Sequence, residues 1–205
     1  VGAFYQPRLV LCDLDTLKTL PKRELRAGLA EVIKYGIIDD ATLFRRLERQ
    51  LPALLKLNAK ELAHVVARSC QIKAKVVEED EREGGLRAIL NYGHTIGHAL
   101  EAISSYGKYL HGEAISIGQV AASKISRDQH GLSQAEVERI EALFTAAGLP
   151  TTVALSKKDT LKLLSAMKVD KKVIGGQVKF VLAKSIGQVA FGIDVPKGTI
   201  KASLQ

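Results

Sequence analysis

The segment NYGHTIGHALEAISSYGKYLHGE, residues 91–113, holds three of the five histidines in this 205-residue chain. Two of them, His94 and His98, are four residues apart, a spacing that places both imidazoles on one face of an α-helix. The glycine that precedes each histidine has the same spacing, which favours close approach of another backbone or of a ligand. His111 follows a short loop, where a second helix is predicted to begin. The segment is therefore typical of a metal site that needs a further ligand in addition to these histidines.

Helical periodicity extends in both directions from this segment. Apolar residues recur at helical spacing, and capping residues or glycines mark several of the ends. Pro52 is predicted to interrupt or restart the second of these helices. The predicted helices cover residues 21–38, 41–51, 60–82, 87–104, 112–129, 133–148 and 156–167.

Strand signals are few. RLVLCD, residues 8–13, has the apolar character of a short buried strand. VKFVLA (178–183) and QVAFGID (188–194) flank a turn at 185–187 and predict a hairpin. The sequence therefore predicts a mainly α protein: a single multi-helix bundle domain over residues 1–205, with a small β-hairpin near the C-terminus.

The net charge of +8 favours an anionic partner. Nucleic acid is the weaker alternative, because the basic residues alternate with acidic ones and lack interleaved aromatics. We expect an anionic small molecule, since several cations lie near the histidines in sequence. No apolar run approaches the ~20 residues of a membrane span, and no secretory signal is recognisable. Two cysteines form no disulfide framework, so a soluble, cytoplasmic protein is expected.

Glu31, His94, His98 and His111 are the candidate metal ligands. Catalytic zinc takes three protein ligands from His and carboxylate and keeps one position open. Spacing alone does not decide which histidines bind, and one of them could contact a substrate instead. The alternative is that they only form hydrogen bonds in a core, which three histidines within eighteen residues make the weaker reading. Glu101 is a candidate partner for a ligating histidine.

His64 and His130 are predicted to be structural, on a solvated helix face and at a helix C-terminus respectively. Possible anion contacts surround the histidines, because arginine and lysine bind carboxylate and phosphate. Each of these could equally be an ordinary solvated charge. They are Lys34, Lys73, Arg87, Asn91, Lys171 and Lys172.

Several long motifs, in order, resemble the 3-dehydroquinate synthase family. They are RAGLAEVIKYG (26–36), RAILNYGHTIGHALE (87–101), HGEAISIG (111–118) and MKVDKK (167–172), with GAFYQP and LDTLKTLP near the start. The resemblance covers this chain but only the C-terminal half of the family. The family's N-terminal NAD-binding domain has no counterpart here, since no glycine-rich Gly-x-Gly-x-x-Gly segment follows a strand. We therefore expect a fragment that is inactive alone.

The resemblance implies roles for individual residues. The family's metal ligands fall on Glu31, His94 and His111, with zinc or cobalt as the ion. His98 then contacts substrate and handles protons. The family's other substrate-contacting positions, some of them catalytic, fall on Lys34, Asn91, Lys73, Arg87 and one lysine of the Lys171–Lys172 pair, with Lys171 preferred.

The implied reaction is that of a carbon–oxygen lyase of the shikimate pathway, which leads to chorismate and the aromatic amino acids. It converts 3-deoxy-D-arabino-heptulosonate 7-phosphate to 3-dehydroquinate and phosphate, with NAD and a metal, in a homodimer. Two alternatives stay open: another sugar-phosphate cyclase, or a metal-binding helical domain without catalysis. Lys73, Arg87 and Asn91 match positions for a carboxylate-bearing substrate, which favours the first reading.

Overall fold

The computed structural model describes residues 7–81, 85–104, 108–169, 173–174 and 177–204. Between residues 168 and 177 it describes the backbone only, and elsewhere in these ranges it also describes the side chains. Eight α-helices lie in these residues, and their bounds are α1 Lys22–Ile38, α2 Ala41–Leu55, α3 Ala59–Glu79, α4 His94–Ile103, α5 His111–His130, α6 Gln134–Ala146, α7 Lys157–Val169 and α8 Lys197–Ser203. Two 3-10 turns cover Leu14–Thr19 and Leu86–Asn91. None of the described helices is both long and apolar enough to cross a membrane.

A small antiparallel sheet follows α7. Its strands are β1 Val173–Ile174, β2 Gln177–Ser185 and β3 Gln188–Asp194, hydrogen-bonded in the order β1-β2-β3. The tight turn between β2 and β3 contains Gly187 at φ 94°, a conformation that glycine adopts without strain. The predicted fold class, mainly helical with a C-terminal hairpin, is confirmed.

Local capping sets many of the helix ends. The Asp40 carboxylate accepts hydrogen bonds from the backbone N–H groups of Thr42 and Leu43, both at 2.9 Å, and so begins α2. Ser133 and Glu136 form the predicted capping box of α6. These interactions involve neighbours in sequence, which is why the pattern of residues predicts them.

Helix α5 lies at the centre of the packing. Most of its side chains are buried, and it contacts α1, α4, α6, α8 and β2. Its neighbours approach closely because α5 carries glycines: a Cβ at Gly112 would lie 2.0 Å from the carbonyl oxygen of Ala27 in α1. This contact holds the N-terminus of α5 against the middle of α1.

Three sequence predictions are wrong. Residues 8–13 form no strand: Leu9 and Leu11 are 81% and 88% exposed, and no described strand pairs with them. Pro52 lies on the exposed face inside α2 and does not interrupt the helix, which continues to Leu55. Residues 87–104 are a 3-10 turn followed by α4, with a break at Tyr92 and Gly93, and not one helix.

Candidate metal and substrate site

His94 is positioned by the break before α4. Gly93 has φ 77°, and a Cβ there would lie 2.4 Å from the Gln119 side chain of α5, so glycine allows both the turn and the close packing. His94 is the first residue of α4 and is buried. Its Nδ1 lies 3.1 Å from the carbonyl oxygen of Tyr92. With the proton on Nδ1, the Nε2 lone pair is available to a metal.

His111 is the first residue of α5 and is held in a similar way. Its Nδ1 lies 3.2 Å from both carboxylate oxygens of Glu101, near the end of α4. A carboxylate that accepts the Nδ1 proton fixes the ring and leaves Nε2 as the metal-binding atom. The helix start is also tied to α1, because Arg23 donates two hydrogen bonds of 2.7 Å to Glu113.

Glu31 of α1 faces both of these imidazoles. Its Oε1 lies 3.3 Å from His94 Nε2 and 3.7 Å from His111 Nε2. Oε1 is buried, yet within the described part of the chain it accepts no hydrogen bond of good geometry. A buried carboxylate oxygen without such a partner is costly in a native fold. Two neutral nitrogens and one carboxylate oxygen turned towards one point fit a divalent cation.

His98 lies one turn further along α4 and is half-buried. Its ring centroid is 5.3 Å from that of His94 and 5.8 Å from that of His111. One ring nitrogen from each of the three histidines lies within 4.8 Å of the others, so this trio could also hold a metal. The structure therefore brings the four candidate residues Glu31, His94, His98 and His111 together.

The protonation states suit a cation site. Burial alone would raise the pKa of Glu31, but the contacts with His111 and His94 and the charge of Lys34 hold it well below its usual range. Burial lowers the pKa of His94, which favours the neutral imidazole that metals require. The contact with Glu31 raises the pKa of His111, so protons compete more strongly with a metal for that ring.

Lys34 is the buried cation of the site. Its side chain pairs with the second carboxylate oxygen of Glu31, and its ammonium lies 5.5 Å from the centre of the Tyr35 ring. Burial lowers the pKa of Lys34, and the charge of Lys73 on α3 lowers it further. Lys73 is exposed, so the two lysines provide one buried and one accessible charge.

Arg87 and Asn91 lie on the second 3-10 turn, immediately before His94. Because that turn is not continuous with α4, Arg87 and Asn91 do not lie on one helical face with His94 and His98, as the predicted single helix over residues 87–104 would require. The backbone N–H of Arg87 donates to Asp80 at 2.9 Å, and its guanidinium donates to the Glu81 carbonyl oxygen at 3.2 Å. Lys171 and Lys172 lie outside the described residues.

Sequence reasoning missed two supports of the site. The Tyr92 carbonyl oxygen is a backbone atom, so no side-chain pattern indicates it. Arg23 and Glu113 are ninety residues apart, although the position of Glu113 in the first turn of α5 was a signal for a capping role. His64 is exposed and His130 ends α5, as predicted.

The model of the 3-dehydroquinate synthase C-terminal family matches residues 28–173, most of the chain. This chain belongs to that family. Curated 3-dehydroquinate synthases of Desulforamulus reducens and Nostoc punctiforme are each 50% identical to it over 100% of its length, which is 56% and 57% of theirs. The chain thus spans about half the length of the curated relatives that it matches.

Solved structures of related sugar-phosphate cyclases share the fold of this chain. ValA, a 2-epi-5-epi-valiolone synthase from Streptomyces hygroscopicus subsp. jinggangensis 5008 with NAD+ and Zn2+ bound, has a TM-score of 0.88 at 27% identity, over 100% of this chain and 56% of its own. A 2-deoxy-scyllo-inosose synthase complexed with carbaglucose-6-phosphate, NAD+ and Co2+ has a TM-score of 0.84 at 26% identity, over 100% and 58%. The chain therefore has the fold of one part of these related enzymes.

Proposed function

We propose that the chain is the metal- and substrate-binding part of a 3-dehydroquinate synthase. The enzyme would convert 3-deoxy-D-arabino-heptulosonate 7-phosphate to 3-dehydroquinate and phosphate, as a carbon–oxygen lyase of the shikimate pathway, with NAD and zinc or cobalt. The observation that carries the proposal is the approach of Glu31 Oε1 to His94 Nε2 and His111 Nε2, at 3.3 and 3.7 Å. Support also comes from relatives of that name at 50% identity and from the bound Zn2+ and Co2+ of the structural neighbours.

Glu31, His94 and His111 are the proposed ligands. Both imidazoles direct Nδ1 at an oxygen acceptor, which favours coordination through Nε2. When bound, the metal supplies a Lewis acid that stabilises negative charge on a substrate hydroxyl oxygen. The Lys34 ammonium offsets the negative charge of Glu31, so a bound divalent cation would leave the site with an excess of positive charge, which attracts an anionic substrate.

His98 is proposed as a proton-handling residue. It lies beside the two ligand histidines, and a neutral imidazole exchanges protons near neutral pH. Its place on α4, one turn after His94, keeps its ring beside the proposed ligands His94 and His111. A proton held on one ring nitrogen can pass to a substrate oxygen without a change in the positions of the ligands.

Lys34, Lys73, Arg87, Asn91 and Lys171 are proposed to hold the substrate. The carbaglucose-6-phosphate in a structural neighbour supports a sugar phosphate as the ligand class. A phosphate and a carboxylate need several cations, and Lys34 and Lys73 are close enough to influence each other. Fixed charges on α1 and α3 orient the substrate against the histidines before reaction, which lowers the entropic part of the barrier.

A second candidate is another sugar-phosphate cyclase, because the structural neighbours are related cyclases with the same fold. Substrate choice separates the two. We expect phosphate release only with the carboxylate-bearing heptulosonate phosphate, in the enzyme that combines this chain with an NAD-binding domain. Equal turnover with a heptulose or hexose phosphate that lacks the carboxylate would favour the second candidate.

The ligand assignment is tested by calorimetric titration of zinc and cobalt into the 205-residue chain. We expect the Glu31→Gln and His111→Ala variants to lose most of the affinity. His98→Ala should keep it, and His64→Ala on an exposed face of α3 is the matched control. If His98→Ala lost as much affinity as His111→Ala, the proposed roles would be wrong.

The isolated chain is expected to bind metal but not to turn over substrate, because NAD is proposed to bind mainly to a separate domain of the enzyme. The measurement is phosphate release by the chain with substrate, zinc and NAD. Turnover similar to that of a complete 3-dehydroquinate synthase would contradict this expectation. The same enzyme is proposed to be cytoplasmic and to form a homodimer, and sedimentation of the complete enzyme would test the dimer.

A further inference from the structure

Gln119, in the first half of α5, contacts the residue that precedes each of two proposed metal ligands. Its side chain is completely buried. Its Nε2 donates a hydrogen bond of 3.0 Å to the carbonyl oxygen of Ala30, the residue before Glu31 on α1. Nearer its own backbone, its Cγ lies 2.4 Å from the position of a Cβ at Gly93, the residue before His94. The side chain of Gln119 therefore bridges α1 and the start of α4.

Gln119 also belongs to the helix that begins with the third proposed ligand. His111 is the first residue of α5, and Gln119 follows it by eight residues, about two helical turns. The start of α4 lies directly against this part of α5, because a Cβ at Gly118 would lie 2.0 Å from the carbonyl oxygen of Gly93. One buried side chain thus connects the three helices that carry the proposed ligands.

These contacts are next to the point where two of the ligands meet. Glu31 Oε1 lies 3.3 Å from His94 Nε2. One peptide bond separates Ala30 from Glu31, and one separates Gly93 from His94, so a shift of either backbone moves the ligand beside it. Shortening the side chain between them to a methyl group would leave a cavity, and the surrounding helices relax partly into such a cavity. The length of this side chain therefore controls how the two ligands are placed relative to each other.

The amide of Gln119 is only partly satisfied. Its Oε1 is buried and accepts no hydrogen bond from the described residues. A buried polar atom without a partner costs free energy, which offsets the gain from the hydrogen bond to Ala30. Methionine has a similar length and a flexible side chain without such an atom, so it can fill the same space without loss of stability. The size of the side chain, more than its amide, is what the two backbones require.

We propose that Gln119 is a positioning residue of the metal site. Its side chain is the spacer that keeps α1 and the start of α4 at the separation that brings Glu31 Oε1 to His94 Nε2. Gln119 is not itself a proposed ligand. The inference rests on the proposed function, because it takes Glu31, His94 and His111 as the ligands.

The test measures zinc affinity by competition with a chromophoric chelator, and the visible absorption of bound Co2+, at a temperature where every variant is folded by circular dichroism. Gln119→Ala should bind zinc about 10-fold more weakly, or worse, as on loss of other groups that orient a ligand. Its Co2+ spectrum should differ from that of the wild type, because the spectrum reports the geometry of the ligands. Gln119→Met should retain the affinity within about twofold, together with the wild-type spectrum, because it preserves the spacer.

Ile125→Ala is the matched control for loss of packing. Ile125 is fully buried on the same helix and belongs to the apolar cluster around Leu100 and Leu163. Its truncation also leaves a cavity, so it should lower the Tm at least as much as Gln119→Ala does. The zinc affinity and the Co2+ spectrum of Ile125→Ala should nevertheless match those of the wild type. This difference separates a positioning role from a general loss of stability.

Glu31→Gln is titrated alongside, so that failure of the ligand assignment can be recognised. If the wild type binds no zinc, or Glu31→Gln binds it equally well, the proposed function and this inference fail together. If Glu31→Gln loses zinc while Gln119→Ala keeps the wild-type affinity and spectrum, only the inference is overturned. An equal loss of affinity in Gln119→Met or in Ile125→Ala would also overturn it, because the length of the side chain at residue 119 would then not be the cause.

Discussion

The carboxylate of Glu101 lies 3.2 Å from Nδ1 of His111, across the loop that joins α4 to α5. The contact fixes the imidazole with its opposite nitrogen, Nε2, towards Glu31. The sequence predicts Glu101 as the partner of a candidate ligand histidine, and the structure identifies that histidine as His111. Glu101 is not a proposed ligand, yet it determines how a proposed ligand is presented.

Replacing Glu101 with glutamine should weaken zinc binding by about 10–100-fold, the usual effect of losing such a partner. The amide keeps the size of the side chain but removes the charge that makes the histidine more basic. Competition with a chromophoric chelator measures the affinity. Glu138→Gln on the exposed face of α6 is the control and should have no effect. Equal affinity of the Glu101 variant and wild type would contradict the positioning role.

Zinc should stabilise the folded chain through Glu31. At a concentration about a hundredfold above its dissociation constant, a metal that binds only the folded state raises Tm by about 5–10 °C in a chain of this size. Thermal unfolding with and without a chelator measures the shift. Glu31→Gln should abolish it, and His64→Ala should retain it. A full shift in the Glu31 variant would place the metal elsewhere.

The close contact of α1 with α5 predicts opposite effects for two glycines. Gly112→Ala would place a methyl group 2.0 Å from the carbonyl oxygen of Ala27, so α5 must move and stability should fall by about 1–3 kcal/mol. Movement of α5 also separates His111 from Glu31, so zinc affinity should fall in the same variant.

The control for this experiment is Gly28→Ala. A Cβ at Gly28 meets nothing within 4 Å, and the residue lies inside α1. Alanine should therefore stabilise the chain by about 0.5–1 kcal/mol through helix propensity. Urea unfolding measures both variants. Similar stability of the two variants would mean that the α1–α5 contact does not require glycine.

The ionisation of Asp40 should make the free energy of unfolding of the chain decrease at acid pH. Burial raises the pKa of Asp40, but its backbone hydrogen bond with Leu43 and its ion pair with Arg68 outweigh burial and lower the pKa overall. Because the pKa is lowered in the folded state, the ionised carboxylate stabilises the fold at pH values above the unfolded-state pKa, about 3.9. This stabilisation is lost as the pH falls through the folded-state pKa.

Asp40→Ala should cost about 0.5–2 kcal/mol at neutral pH through loss of the N-cap. Asp40→Asn keeps a capping oxygen but removes the charge, so it should lose mainly the pairing with Arg68. Urea unfolding at neutral and acid pH measures both variants. The gap between wild type and Asp40→Asn should close with acid. A gap that stays constant would show that the charge of Asp40 is not what titrates.

Much of the fold follows from local pattern. The capping box at Ser133, the end of α5 at Gly131 and the hairpin around Gly187 each depend on residues close in sequence, so the sequence predicted them. The prediction of a strand at residues 8–13 was wrong because a strand also needs a neighbouring strand to pair with. The prediction of one continuous helix at 87–104 was wrong because Gly93 takes a positive φ and packs against α5.

The sequence by itself determined the helical architecture, the hairpin and the set of candidate site residues, because periodicity, caps and residue chemistry are properties of the chain. Only the tertiary structure decided which of these residues meet. Glu31 reaches His94 and His111 because α1 packs against α5. Contacts between distant segments depend on how helix faces fit together, and spacing along the sequence does not contain that information.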